Sequence, residues 1–261
     1  MSFKEKWHRA VAEKNSILCV GVDPAEPGQR SNNITPSGLN KLDHCISVIE
    51  AVAPYSAAIK PNHQYIRDFS RMQIKTLNDK IHELGMVSID DSKVADIGDT
   101  NDAAFYHSKA EGFDAITYAP FAGNLEGSIQ AAKARDLGII TLTLMSNPEF
   151  LAMKHAQFEE TPGYLFFAKK VAEFAGDAMV VGAPSEKNHI TLNELKEIRQ
   201  ACPEGLVLVP GIGAQGGASE HIVQTFGRNA IVAVGRSIFY SDDPAKEAEA
   251  YQKLLMEQLD S

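Results

Sequence analysis

The chain has 261 residues, 44% of them hydrophobic and 23% charged, which is enough apolar material for a large core and excludes disorder or low complexity as its main character. Its formal net charge of -9 argues against a broad nucleic-acid surface, because neutralising many phosphates needs clustered Lys and Arg, but leaves room for one phosphate site. Cys19, Cys45 and Cys202 are few, odd in number and unevenly spaced, pointing away from a disulfide framework or zinc cluster and towards a reducing cytoplasm.

The opening MSFKEKWHRAVAEKN is charged and helical in pattern, unlike a signal peptide. No apolar run approaches the roughly 20 residues that span a bilayer, so a soluble protein without a membrane partner is expected. ILCVGV, residues 17–22, reads as a strand, and the Pro-, Gly- and Asn-rich stretch to residue 36 as a loop. Helical SGLNKLDHCISVIEAV then leads to a strand SAAIK, and MQIKTLNDKIHELG to MVSID. Helices over 101–111, 125–136, 163–175, 191–200 and 216–226 precede DAITY, GIITLTLM, AMVVGA, LVLVP and AIVAV, and a helix over 243–258 ends the chain.

The strands number eight, each followed by a helix, and they read as continuous apolar runs, the mark of parallel strands covered on both faces. At this length the pattern favours a single domain over 1–261, a closed (β/α)8 or TIM barrel, above an open doubly wound sheet. The extra N-terminal helix is expected to cover the barrel's bottom, with Trp7 as a packing residue. No Pro/Ser linker divides the chain.

Such barrels place function at the C-terminal ends of their strands. Asp23 ends the first strand, Lys60 the second, Asp91 and Lys93 the third and Ser146 the fifth; PGIGAQGG follows the seventh, and Gly235 and Arg236 end the eighth. In DSKVADIGDT, residues 91–100, strand alternation puts Asp91 and Lys93 on one face, with Asp96 beyond the strand end. By itself this segment reads equally well as a surface charge pair. Five polar strand ends on one rim favour a site.

Gly211, Gly213 and Gly216 match G-x-G-x-x-G literally. The dinucleotide fingerprint, however, opens the first βαβ unit and expects an acid about 20 residues on, whereas this one follows the seventh strand and meets Arg236. Glycines there let backbone N–H groups approach an anion, and the helix expected from Gly216 adds its positive end. Gly235 permits close approach, Arg236 offers a donor fork, and Gln215 adds an uncharged donor on a loop able to close. A phosphorylated small molecule is the expected ligand.

Taken in order, AIK, DSKVADIGDT, MSNP, PGIGAQGG and VGRSI resemble the orotidine 5'-phosphate decarboxylase family over residues 17–240. The resemblance implies conversion of orotidine 5'-phosphate to uridine 5'-phosphate and CO2 in pyrimidine biosynthesis, without cofactor or metal. It implies a homodimer with shared sites, in which Lys60, Asp91 and Lys93 come from one protomer and Asp96, Ile97 and Thr100 from the other. Asp23 and Lys60 would hold the ribose, with Thr100 and Asp96 from the neighbour; Ser146 would meet the pyrimidine, Gln215, Gly235 and Arg236 the phosphate, and Pro210 and Ile212 an apolar wall. Sugar-phosphate relatives share D-x-K-x-x-D but hold a metal partly through a carboxylate at the second strand's end, where this chain has Lys60. Two departures are visible: Asp99 stands where the family often has Asn, and the loop over 24–36 is long. His63 reads as an exposed loop histidine.

Overall fold

A computed structural model describes residues 1–212 and 219–261; Gln215, Gly213 and Gly216 lie outside the described residues. Eight parallel strands, Leu18–Val22, Ala58–Pro61, Val87–Val94, Ala115–Tyr118, Gly138–Leu144, Ala178–Val181, Leu206–Val209 and Ala230–Val234, close into a barrel. They are called the first to eighth strands below. Closure runs through the first, which pairs with the eighth (Leu18 beside Val232) and with the second (Gly21 beside Lys60). A closed ring leaves no unpaired edge, and its β-branched strands are buried on both sides. The open sheet is thereby set aside in favour of the (β/α)8 barrel.

The surrounding helices sit where the apolar periodicity put them, with ends moved by a few residues. Those expected to end at 136 and 175 stop at Ala134 and Glu173, because Asp136 (φ +52°) and Ala175 (φ +53°) have turned into left-handed backbone. The helix expected from 101 begins at Gly98. Reciprocal Ser70–Gln73 and Thr191–Glu194 capping boxes start two others. Among the described residues, the elements not expected include a helix Leu151–His155, a hairpin pairing Gln157–Phe158 with Thr161–Pro162, a helix Arg236–Phe239 and several 3-10 turns. Each is about a turn or less, too short for a period to show.

The N-terminal helix Phe3–Lys14 opens with a Ser2–Glu5 capping box and seals the end of the barrel away from the rim. Trp7 is wholly buried and its Nε1–H donates to the Arg228 carbonyl at 3.0 Å. Phe3 lies over the start of the fifth strand so tightly that a Cβ on Gly138 would stand 2.5 Å from its own Cβ. Lys6 adds an ion pair to Asp114 at 2.7 Å, ahead of the fourth strand. With this end plugged, the other end is where a ligand can enter.

Candidate active site

Lys60 and Asp91 stand on neighbouring strands, and the bridge from Asn62 to Asp91 sets their height. The Lys60 ammonium donates to Asp91 Oδ2 and the Lys93 ammonium to Asp91 Oδ1. Burial opposes charge on Lys60, yet the Asp91 carboxylate, helped by Asp23, raises its pKa above the ordinary lysine value. Burial likewise opposes charge on Asp91, and the two lysines hold it well below the usual carboxylate range. A Lys–Asp–Lys chain, its buried Lys60–Asp91 pair charged, therefore crosses from inside the barrel to its mouth. Lys60 is 8% exposed, whereas the side chain of Lys93 is 45% exposed and open to a ligand.

Simple alternation does not deliver this geometry. The pairing with the fourth strand shifts register between Asp90 and Val94, and Lys93 has φ +55°, a conformation that side-chain-bearing residues adopt at a cost of about 1–2 kcal/mol. The Lys93 N–H is held by Thr117 Oγ1 at 2.9 Å, and that oxygen also lies 3.3 Å from Asp91 Oδ1. Thr117, buried on the fourth strand, thus fastens both ends of the kink. It was missed because the fourth strand shows no charged residue at its rim end; a threonine among the apolar residues of DAITY was the available signal. Alternation does hold one residue earlier, where Asp90 turns away from Asp91 and its carboxylate lies 3.4 Å from the half-exposed His63 ring, outside the barrel.

The other rim residues divide into those the chain gathers and those it does not. Asp23, just past the first strand, accepts from Arg30 at 2.9 Å. Gly235 faces Gly21 so closely that a Cβ on Gly21 would lie 3.2 Å from Gly235 Cα, and Arg236, exposed, begins the short helix that follows. Ser146 is half-buried beyond the fifth strand, close to the end of the sixth: a Cβ on Gly182 would lie 2.9 Å from its own. Pro210 and buried Ile212 flank Gly211 (φ +87°) after the seventh. Gln215 falls among the residues not described.

Asp96 and Thr100 are not joined to the lysine–aspartate chain by any hydrogen bond or ion pair among the described residues. Both are exposed; the Asp96 carboxylate accepts from the Ile97 N–H at 2.8 Å, and its backbone N–H donates to Asn101 Oδ1 at 3.0 Å. Beside them Ile97 is 62% exposed. Among the described residues, no group of three or more His, Cys, Asp or Glu is placed to hold a metal, and no helix is long and apolar enough to cross a membrane.

Residues 16–251 match the family model described as "Orotidine 5'-phosphate decarboxylase / HUMPS family". A curated orotidine 5'-phosphate decarboxylase from Thermomicrobium roseum is 32% identical, over 96% of this chain and 91% of the relative. Among solved structures, a candidate orotidine-monophosphate-decarboxylase from Toxoplasma gondii superposes with a TM-score of 0.87 at 22% identity, covering 99% of this chain and 96% of the other, a likeness of fold. Orotidine 5'-monophosphate decarboxylase from Methanocaldococcus jannaschii, complexed with inhibitor BMP, superposes with a TM-score of 0.71 at 26% identity over 91% of this chain and 97% of the other. The chain belongs to the orotidine 5'-phosphate decarboxylase / HUMPS family.

Proposed function

We propose that this enzyme decarboxylates orotidine 5'-phosphate to uridine 5'-phosphate and CO2, and that Lys93 protonates the carbon left behind. The observation that carries the reading is the Lys60–Asp91–Lys93 chain at the barrel mouth. Loss of CO2 from C6 of the pyrimidine leaves an electron pair on a carbon with no obvious sink. An ammonium beside that carbon stabilises the developing charge and then delivers the proton. Arginine could do the first but is too weak an acid for the second. Asp91 directs the Lys93 ammonium, while Lys60 offsets the second negative charge that the substrate's carboxylate brings.

Remote groups supply binding energy for this step. Arg236 and the backbone at Gly235, with Gln215, take the phosphate; Asp23 and Lys60 take ribose hydroxyls; Ser146 meets the base, against Pro210 and Ile212. Two copies share their sites, Asp96, Ile97 and Thr100 of each completing the other's. Their exposure, set apart from the lysine–aspartate chain of their own protomer, favours this arrangement. The whole chain forms one domain, active in the cytoplasm without a cofactor.

A metal-dependent sugar-phosphate enzyme is the competing family chemistry. The charged Lys60 at the second strand's end speaks against it, because an ammonium repels a cation. Purified protein treated with EDTA is mixed with orotidine 5'-phosphate and the ultraviolet change on forming uridine 5'-phosphate is followed. Turnover is expected; folded protein that gives none would overturn the proposal.

A further inference from the structure

The long loop over 24–36 carries an arginine that reaches back to the rim. Arg30 Nη2 donates to Asp23 Oδ2 at 2.9 Å, its Nε–H donates to the Tyr65 hydroxyl at 2.9 Å, and its guanidinium carbon stands 4.3 Å from the centre of the Tyr65 ring. Tyr65 lies in the turn His63–Tyr65 that follows the second strand, so this one side chain ties the ends of two strands. The pair is largely shielded, with 19% of the Arg30 side chain and 22% of Asp23 exposed, so solvent screens it less than a surface pair.

The backbone of Asp23 is fastened separately. The Tyr240 hydroxyl donates to the Asp23 carbonyl at 2.7 Å and accepts from the Ala25 N–H at 2.8 Å. Tyr240 ends the helix that Arg236 begins. Asp23 is thus held by its main chain from the eighth-strand side and by its carboxylate from the second-strand side.

We propose that Arg30 is a positioning residue for ribose recognition: it fixes one oxygen of Asp23 so that the other is presented to a hydroxyl of a ribonucleoside 5'-monophosphate. This rests on the functional reading above. An unrestrained aspartate at a strand end can swing between rotamers and to water, and each sacrifices the directed acceptor that a sugar hydroxyl needs. A guanidinium suits the task because it binds two partners in different directions with one rigid group, which lysine cannot do.

The test measures affinities of uridine 5'-phosphate and of its 2'-deoxy and 3'-deoxy analogues. In the wild type, the analogue that lacks the hydroxyl accepted by Asp23 binds more weakly. Arg30→Met is expected to narrow that gap about ten-fold, the size of one charge-assisted hydrogen bond. Asp23→Asn should narrow it as well, and the double variant should narrow it no further, whereas Arg30→Lys should recover part of the gap. Should Arg30→Met fail to fold, Tyr65→Phe, which removes only the Nε acceptor, should still narrow it. A gap that survives in the Arg30 and Tyr65 variants, or effects of Arg30→Met and Asp23→Asn that simply add, would overturn the assignment while leaving the functional reading intact. Wild-type protein with no affinity for uridine 5'-phosphate would overturn that reading itself.

Discussion

Lys60 and Asp91 neutralise each other inside the barrel, one strand apart, and neither has bulk water to take the other's place. Removing one partner of a buried pair typically costs about 3–5 kcal/mol, because the survivor keeps its burial and loses its compensation. Here Asp91 retains Lys93, so Lys60→Ala is expected at the lower end of that range. Chemical denaturation should show the loss, alongside a collapse of turnover.

The same pair sets the acid and alkaline limits. Asp91 has a folded pKa below its unfolded value, so its contribution is fully present above about pH 4 and is lost only as pH falls further, through the folded value. Lys60 has a folded pKa above its unfolded value, so its contribution is fully present below about pH 10 and is lost as pH rises through that higher folded value. Asp91→Asn should therefore flatten stability against pH on the acid side, below about pH 4, as read from urea midpoints. An unchanged acid limb would show that Asp91 is not held as described.

Lys93 and Arg236 should fail in different ways. Lys93→Ala is expected to lower kcat by about 10²–10⁴ or more while product binding persists. Arg236→Ala is expected to weaken binding of phosphorylated ligands about ten- to a hundred-fold. Steady-state kinetics with product titration separates the two, and equal losses of binding alone in both variants would contradict the division.

Shared sites predict complementation. Lys93→Ala and Asp96→Ala proteins, each inactive, are mixed under conditions that exchange subunits. One intact site per heterodimer should return a fraction of wild-type turnover, and persistent inactivity would count against the assignment of Asp96 across the interface.

Trp7 belongs to the plug at the opposite end. Trp7→Ala should destabilise the fold by about 3–5 kcal/mol, with kcat of the folded fraction unchanged. A thermal melt and an active-site titration on one sample check both halves.

The barrel was legible because eight apolar runs alternate with helical ones, and the rim was legible because charged residues end strands that are otherwise apolar. Periodicity cannot show a kink: Asp91 and Lys93 were placed together by counting two along a strand, yet they meet through a register shift and a left-handed Lys93. Thr117 was hidden by its neutrality. Arg30 was hidden in a loop without periodicity, although it lies seven residues from Asp23, and Tyr65 and Tyr240 were hidden by distance along the chain, since the hydroxyl that clasps Asp23 comes from 217 residues away. Asp96 was legible as an acid just past the strand end, but its assignment to a neighbouring protomer, and Thr100 altogether, entered only through resemblance; among the described residues neither has a hydrogen bond or ion pair to the lysine–aspartate chain.

The close approach of Gly21 and Gly235 also bears on how the site comes into being. It lies on the seam where the first barrel strand meets the last, so the acid assigned to ribose and the arginine assigned to phosphate become neighbours only when the ring shuts. During synthesis the first half of the chain can bring Lys60, Asp91 and Lys93 together through adjacent strands, while the phosphate end must wait for residues beyond 234. Ligand affinity is therefore a late product of folding, and a ligand that bridges the seam acts as a latch on the finished barrel rather than a template for its early units.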